Sequence, residues 1–459
     1  MSAAFGCFAA LLVLVFLTGG GSRDDIQSLI VLRPVALLLG AYAATRITAD
    51  QWRAIAVPAW LLIAIAAVLT LQLIPLPPGV WTSLPGRELH AQALLAAGLG
   101  DAWHPMSLSP AKTLNALMSL SVPMAALLLF GLLDFRARQR SLWLIAGLCV
   151  FSAVLGVAQL LGSAGGPLYF YRITNGTSLV GVFANRNHQA FLLAFAGLVS
   201  AAILLFNGER QRGSLPPVRL MMLTGCIAMV TLLIALTGSR AGLLLNGVSV
   251  VIIAYMMRVA GKVAVSRSAP AKKIGANRYL WLVPVVGAVL ATAVSIFMSR
   301  SEGFKRIMES ESQVELRGDV LPQLLGMLWS FFPFGAGFGA FENVYRQFET
   351  VELIGPSYLN NAHNDWLQVL IEGGVPGALL LAAGIGWVAL RSVAVLRAAK
   401  SGSHENGMRL LAAGFFVLLA LASVFDYPAR VPIIMALAAV MAGILALPET
   451  SRSSAASAA

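Results

Sequence analysis

The stretch AIAVPAWLLIAIAAVLTLQLI, residues 54–74, indicates the fold most clearly. It carries no charged side chain, and about 20 apolar residues in a helix are enough to cross a membrane. Similar stretches recur along the whole chain, near 3–18, 28–45, 113–133, 141–162, 188–206, 219–237, 240–257, 279–298, 366–390, 408–425 and 431–447. The sequence therefore predicts an all-α polytopic membrane protein with about twelve transmembrane helices.

The composition agrees with a membrane protein. Of the 459 residues, 58% are hydrophobic and 11% are charged, whereas soluble domains carry about 25% charged residues. The formal net charge of +12 does not by itself indicate a nucleic-acid partner, because Lys and Arg collect in the cytoplasmic loops of membrane proteins. The three cysteines lie in apolar stretches, and their spacing fits neither a disulfide framework nor a zinc site.

The distribution of positive charge predicts the orientation in the membrane. If the N-terminus lies in the cytoplasm, the cytoplasmic segments and their flanking residues hold 19 of the 32 Lys and Arg residues. The segment 258–278 alone holds six of them. Because such residues mark the cytoplasmic side, we expect both termini inside and the polar clusters outside. The run 3–18 lacks the positive residues that begin a secretory signal, so we interpret it as the first span.

Two long segments between spans are expected on the outer side. Residues 75–112 are rich in Pro and Gly and include a possible short helix at 87–97. Residues 299–362 mix charges and aromatics, with a helix predicted over 311–331, and indicate an ordered external subdomain. We predict three regions, which are N-terminal transmembrane helices at 1–140, a main transmembrane domain at 141–447 that includes the external subdomain, and a disordered cytoplasmic tail at 448–459.

The most informative polar cluster is NNAHNDW at residues 360–366, directly before an apolar run. Asn364 or Asp365 is suited to cap the helix that follows, which would place His363 at the mouth of that helix. The candidate site residues of this cluster are Asn361, His363, Asn364 and Asp365. The alternative is that they only cap a helix at the membrane boundary.

A break is predicted in the same helix. The sequence GGVP at 373–376 comes directly after Glu372, and Gly and Pro both weaken a helix interior. Non-helical backbone at membrane depth is tolerated where it lines protein or a water-filled cavity. We therefore expect a polar cleft beside His363 and Glu372.

Three further clusters lie at the predicted outer side. GVFANRNH at 181–188 provides Asn185, Arg186 and His188, which could instead be a helix cap with an Arg that reaches the interface. Arg240 lies in the tight turn TGSRAG at 237–242 and has no nearby carboxylate in sequence, so a phosphate group would suit it, although lipid headgroups would too.

Arg317 belongs to the third of these clusters, in ELRGDVLPQLLGMLW at 315–329, where a solvated mixed-charge face is the alternative. The sequence shows no spacing of metal ligands and no Gly-rich phosphate loop after a strand. It therefore predicts neither a metal site nor a cofactor.

Taken together, the motifs resemble the O-antigen ligase and O-antigen polymerase superfamily of bacterial envelope glycosyltransferases. The motifs that carry the resemblance are, in chain order, GVFANRNHQA at 181–190, TGSRAGLL at 237–244, the Arg317 helix ending in PFGAGFGAF at 333–341, and HNDWLQVLIEGGVPG at 363–377. Each motif alone is weakly specific, and the resemblance rests on their combination and their order along the chain. It extends from about residue 141 to residue 447, and Pro322 inside the predicted helix departs from the family pattern.

The resemblance implies a function and a set of site residues. It implies transfer or polymerisation of an oligosaccharide carried on polyprenyl diphosphate, without metal and with inversion, at the periplasmic face of the inner membrane. It assigns His363 as the catalytic residue and Arg240 and Arg317 as the residues that bind the diphosphate. The supporting pocket would consist of Asn185, Arg186, His188, Asn361, Asn364, Asp365 and Glu372.

Several functions remain open at this stage. The acceptor could be a lipid A core, a growing glycan or a protein, the last being protein O-oligosaccharyltransferase activity. A twelve-span transporter or a flippase for lipid-linked glycans is the alternative outside the enzyme class. A transporter usually places ionisable groups near the middle of the bilayer and has related halves. Here most spans are nearly free of charge and the halves differ in loop length, which favours an enzyme.

Overall fold

The computed structural model describes residues 2–206, 217–266, 313–351, 359–398 and 404–447. Helices dominate these residues. In chain order they are α1 (Ala3–Thr18), α2 (Leu29–Arg46), α3 (Ala49–Gln72), α4 (Pro78–Trp81), α5 (Glu88–Ala96), α6 (Pro110–Ser119), α7 (Ser121–Gly131), α8 (Phe135–Leu161), α9 (Arg186–Phe206), α10 (Pro217–Thr237), α11 (Arg240–Ser266), α12 (Gln313–Phe331), α13 (Phe341–Tyr345), α14 (Asp365–Ala398), α15 (His404–Phe425) and α16 (Pro432–Ala446).

The prediction of an all-α polytopic membrane protein is confirmed. Within the described residues, nine helices are long and apolar enough to cross a membrane, with α6 and α7 together forming one of them. Three shorter apolar helices add to these, among them α1 and α16. The predicted span at 279–298 and the predicted tail at 448–459 lie outside the described residues. The β-structure of the described part is one antiparallel pair, β1 (Pro75–Leu76) with β2 (His104–Pro105).

Helix α9 lies at the centre of one group of helices, where it packs against α8, α10, α11 and α15. In its apolar stretch 83% of the residues are buried in protein, compared with 6% for α14. A helix that is apolar on all sides can be buried on all sides, so α9 suits this position. A second group forms where α7 packs against α2 and α16.

A loop layer, which we define as residues 75–109 and 332–351, covers one end of the helices. The predicted short helix at 87–97 is confirmed as α5. Arg87 precedes α5 and is buried, and its guanidinium donates hydrogen bonds to the carbonyl oxygens of Pro85 (2.9 Å), Met106 (2.7 Å) and Gly335 (2.9 Å). Burial lowers the pKa of Arg87 to about 10. The two segments of the loop layer are therefore joined through one side chain.

The helix predicted at 311–331 is confirmed for its described part, as α12, and its placement on the outer side stays a prediction. It packs with α13 and the Gly-rich connection between them on a small apolar core of its own, which includes Leu324, Phe331, Phe341 and Ile371 of α14. Helices α12 and α13 and the connection between them thus pack against α14, the helix that follows His363.

We expect Arg87→Met to destabilise the protein by on the order of 3 kcal/mol, because three buried carbonyl oxygens lose a charged donor. A thermal unfolding scan in detergent would measure the loss. Arg53→Met is the matched control, because the Arg53 side chain is 77% exposed at the start of α3. Equal midpoints for the two variants would contradict the role given to Arg87.

Candidate functional site

The site is arranged around the start of α14 and the break in it. Asn364 caps the helix, since its Oδ1 accepts a hydrogen bond of 3.0 Å from the backbone N–H of Leu367. Gly374 has φ 56° and ψ −143°, which interrupts the helix where the sequence predicted a break. A side chain at Gly374 would collide with the carbonyl oxygen of Pro333 in the loop layer. The break therefore lets the loop layer approach the helix closely.

His363 directly precedes the cap and has φ 49°, a left-handed conformation that is uncommon outside glycine. Its side chain is 13% exposed, and its Nδ1 lies 3.3 Å from Oδ1 of Asp426, an ion-pair distance. Asp426 lies in the short connection between α15 and α16 and is 4% exposed. A buried carboxylate thus contacts one ring nitrogen of His363.

The same carboxylate contacts the start of α9. Oδ2 of Asp426 accepts hydrogen bonds from the amides of Asn187 (2.7 Å) and Asn185 (3.1 Å). Nε2 of His188 lies 3.9 Å from Oδ1. Burial by itself raises the pKa of Asp426, but the contact with His363, the charge of His188 and the Asn187 amide outweigh burial and hold this pKa below its usual range. Asp426 is therefore a charged carboxylate at neutral pH.

Tyr427 fills the space between the two histidines. Its ring centroid is 5.3 Å from that of His188 and 4.9 Å from that of His363, both in edge-to-face geometry. Such packing restricts the orientations of both imidazoles. The pair Asp426 and Tyr427 therefore fixes the positions of both histidines.

A second network lies deeper along α14. Arg430 forms ion pairs with Oε2 of Glu372 (2.9 Å) and Oδ1 of Asp365 (3.3 Å). Glu372 is fully buried, and its Oε1 accepts hydrogen bonds from Gln368 (3.1 Å) and the backbone N–H of Phe341 (3.2 Å). Burial alone lowers the pKa of Arg430, but the two carboxylates more than offset that effect and raise it. Glu372 and Asp365 thus hold the connection between α15 and α16 against α14.

The predicted tight turn before Arg240 is confirmed, since α10 ends at Thr237 and α11 begins at Arg240. The hydroxyl of Ser239 donates a hydrogen bond of 2.7 Å to Oδ1 of Asn187, so the turn is attached to the start of α9. The Arg240 side chain is exposed. The backbone of Arg317 lies in α12. The structure does not describe its side chain.

A polar cavity of 1160 Å³ opens beside His363. The sequence-predicted residues that line it are Asn185, Arg186, His188, His363 and Asn364. Asn361, Asp365 and Glu372 instead line a second cavity of 770 Å³, and Arg240 lines neither. The structure therefore brings residues of three of the four sequence clusters to this cavity, since Val320, Leu321 and Leu324 of the segment 315–329 also line it. The Ser239–Asn187 contact places the turn before Arg240 near them. Within the described residues, no group of three or more His, Cys, Asp or Glu side chains could hold a metal ion.

The sequence patterns did not predict three residues of the site, namely Asp426, Tyr427 and Arg430. A signal for two of them was present, because DYPAR at 426–430 places an acid and a base in a five-residue connection between two predicted spans. Short charged connections between spans are usually topological, so this one did not stand out from the others.

Comparison with known families supports the resemblance. Residues 224–382 match the model of the O-antigen ligase family. This region begins within α10 and contains Arg240, Arg317, His363 and Glu372, whereas the start of α9 and Asp426 lie outside it. No curated protein matches the chain. The resemblance to the O-antigen ligase and polymerase superfamily is thus confirmed, and the findings support a multi-pass membrane enzyme of the O-antigen ligase type.

Asp426 gives a testable dependence of stability on pH. Because its folded-state pKa lies below the unfolded value of 3.8, its charge stabilises the fold fully above that value, and the contribution is lost as the pH falls through the folded pKa. We expect Asp426→Asn to lower the unfolding midpoint at pH 7, and the difference from wild type to shrink below about pH 4. Asp50→Asn, at an exposed position, is the control. A difference that widens in acid would contradict this assignment.

Proposed function

We propose that the protein transfers or polymerises an oligosaccharide carried on polyprenyl diphosphate, with His363 as the catalytic base. The observation that carries the proposal is the contact of His363 Nδ1 with the buried, charged Asp426 at the edge of the polar cavity. The family match over residues 224–382 supports the reaction class.

The contacts of His363 suit a base. A proton on Nδ1 faces the Asp426 carboxylate, which leaves Nε2 with a lone pair for an acceptor hydroxyl. The negative carboxylate stabilises the imidazolium that forms when Nε2 takes the proton. His188, whose Nε2 also faces Asp426, cannot offer the same nitrogen to a substrate, so we give it a supporting role.

In the proposed reaction the acceptor oxygen attacks the anomeric carbon of the first sugar. Its proton passes to His363, a new glycosidic bond forms, and the bond from that carbon to the diphosphate oxygen breaks. Direct displacement inverts the configuration at this carbon. Polyprenyl diphosphate leaves with the bonding electrons, so positive side chains are needed beside it.

Arg240 and Arg317 are the residues proposed to neutralise the leaving diphosphate. The guanidinium of Arg240 is exposed at the first residue of α11, where the positive end of the helix dipole also favours an anion. Two guanidinium groups can provide charge stabilisation without a metal ion. No nucleotide is required, because the diphosphate linkage already activates the sugar.

We further propose that the polar cavity faces the periplasm and that both termini lie in the cytoplasm. The distribution of Lys and Arg supports this orientation. Most of the site's ionisable residues lie at helix ends and in short connections, for example at the starts of α9 and α14, and Glu372 lies beside the break in α14. A transporter would place such residues around the middle of its spans, so this distribution favours an enzyme of the membrane surface.

Deletion of the gene followed by analysis of surface polysaccharide would separate a ligase from a polymerase. Loss of long chains from an otherwise intact lipid A core indicates a ligase. Loss of everything beyond a single repeat indicates a polymerase. Unchanged surface and protein-linked glycans would contradict both forms of the proposal and the protein O-oligosaccharyltransferase alternative.

The substitution His363→Asn is expected to lower transfer activity by at least about 100-fold, because the base is removed. Asparagine tolerates the left-handed backbone of this position better than other residues do. The measurement is transfer by purified protein, with the unfolding midpoint recorded on the same sample. Wild-type activity in a folded His363→Asn protein would remove His363 from the mechanism.

The substitution Arg240→Lys is expected to lower activity by about 10-fold or more, because it keeps the charge but loses the planar pair of donors that matches a diphosphate. Arg46→Lys, at an exposed position at the end of α2, is the matched control and should behave as wild type. Equal activity of both variants would show that Arg240 is only a surface residue.

A further inference from the structure

Helix α12 carries apolar side chains on two opposite faces. Its inner face packs on the small core that it shares with α13 and α14, and consists of Val320, Leu324, Met327 and Phe331. Its outer face is exposed and consists of Leu321, Leu325 and Trp329, continued by Phe332 directly after the helix. A helix that is apolar on all sides is ordinarily buried on all sides. The outer face of α12 therefore requires an apolar contact.

The sequence around this face carries no charge. Residues 320–341, from α12 through the Gly-rich connection to the start of α13, contain no Asp, Glu, Lys or Arg, whereas soluble domains carry about 25% charged residues. The rings of Trp329 and Phe332 lie edge to face at 6.0 Å, and Phe334 beside them is exposed as well. Trp is enriched where a bilayer meets water, so this composition indicates a membrane surface.

The level of the segment in the membrane follows from Gln72 at the end of α3. Residues 54–72 of α3 are uncharged and about 28 Å long, which matches the roughly 30 Å of bilayer hydrocarbon. The Gln72 side chain donates a hydrogen bond to the carbonyl oxygen of Glu372 (3.1 Å) and accepts one from the backbone N–H of Phe338 (2.9 Å). Phe338 therefore lies near the boundary between hydrocarbon and head groups.

The backbone of the connection after α12 is hydrogen-bonded to the broken part of α14. The backbone N–H of Ala336 donates to the carbonyl oxygen of Ile371 (2.9 Å), and that of Val375 donates to the carbonyl oxygen of Pro333 (2.8 Å). Non-helical backbone beside lipid needs such partners within the protein, because hydrocarbon offers no hydrogen bonds. These bonds allow the neighbouring side chains to face lipid.

The outer face of α12 continues the surface of a membrane-spanning helix. Helix α14 is long and apolar enough to cross a membrane, and its apolar stretch is hardly covered by protein. Val375 and Leu379, just after the break in α14, are exposed. Because Val375 is bonded to Pro333, the exposed rings of Phe332 and Phe334 lie next to this part of α14. One apolar surface thus extends from α14 to α12.

We propose that the outer face of α12, with Phe332 and Phe334, is embedded in the surface of the bilayer at the end of the helices that the loop layer covers. Lipid occupies this face, with the upper parts of its acyl chains against Leu325 and Trp329. The segment that the sequence assigned to an external subdomain thus lies at the level of the lipid head groups. Contact with lipid here does not depend on the proposed reaction.

The embedded helix also forms part of the wall of the polar cavity. Val320, Leu321 and Leu324 line that cavity, and Leu321 belongs to the outer face of α12 as well. At Leu321 the polar cavity is therefore bounded by a side chain that contacts lipid. This side of the cavity lies at the bilayer surface, and not in the water beyond it.

Tryptophan fluorescence of the full chain in phosphatidylcholine bilayers tests this placement. The emission that Trp329→Phe removes belongs to Trp329, whose residue is 69% exposed. We expect it to be quenched by phosphatidylcholine brominated near the head group, and less by phosphatidylcholine brominated at the chain ends. Iodide in the buffer should quench it far less than it quenches a dissolved tryptophan amide. Trp60→Phe is the matched control, because Trp60 is 58% exposed in the uncharged part of α3, and its emission should also be quenched by brominated lipid.

A nitroxide scan follows the same face without tryptophan. Single cysteines are introduced by Leu325→Cys and Phe334→Cys in a chain whose three native cysteines are replaced by alanine. Oxygen concentrates in lipid, so it should relax both labels more than a water-soluble nickel chelate does. Val251→Cys, exposed in α11, is the lipid-facing reference, and Asp101→Cys, exposed in the loop layer, is the reference in water.

Two results would overturn the proposal. Quenching of Trp329 by iodide, or nickel accessibility at Leu325→Cys equal to that at Asp101→Cys, would show an aqueous surface. Protection from lipid-borne and water-borne probes alike would show that protein covers the face, either a second copy or the part of the chain that the structure does not describe. His363→Asn should give the wild-type pattern, so a failure of the proposed chemistry is distinguishable from a failure of this placement.

Discussion

The buried carboxylate of Asp426 is the interaction on which the arrangement of the site depends. It contacts His363 before α14, and His188, Asn185 and Asn187 at the start of α9. These segments are far apart in sequence and are all polar. A buried charge is costly unless it is paired and hydrogen-bonded, so each contact supports the others. Removing one partner would leave the buried charge with fewer hydrogen bonds and ion pairs. The two histidines would then be held less firmly, because both contact the same carboxylate.

A second constraint keeps this carboxylate in place. The connection 426–430 ends in Arg430, which is held by Glu372 and Asp365 of α14. Glu372 directly precedes the two glycines of the helix break, where the loop layer approaches so closely that no side chain fits at Gly374. The break thus serves two purposes. It admits the loop layer, and it leaves a buried acid where the connection between α15 and α16 can be anchored.

The two cavities between the helices differ in the polarity of the side chains that line them. The polar cavity is lined by His188, His363 and several amides and hydroxyls, whereas the second cavity is lined mostly by aliphatic side chains. Their shared lining at Gly21–Arg23 and Asn360 brings these environments together at one boundary. Such a boundary suits the proposed transfer of a lipid-carried glycan, because the reacting group of that donor would lie just beyond its lipid.

The sequence by itself determined the all-α membrane fold, the position of nearly every described helix, the cap at Asn364, the break after Glu372 and the turn before Arg240, because each of these follows from local hydrophobicity or backbone preference. It also carried the family motifs. Only the tertiary structure decided which polar clusters meet. Helix packing brings the start of α9 to His363 through Asp426. It places Asp365, Asn361 and Glu372 at the second cavity instead of the polar one. It also brings Tyr427 and Arg430 into the site. Contacts between residues more than 50 positions apart depend on how helices pack, and helix packing has no local signature in the chain.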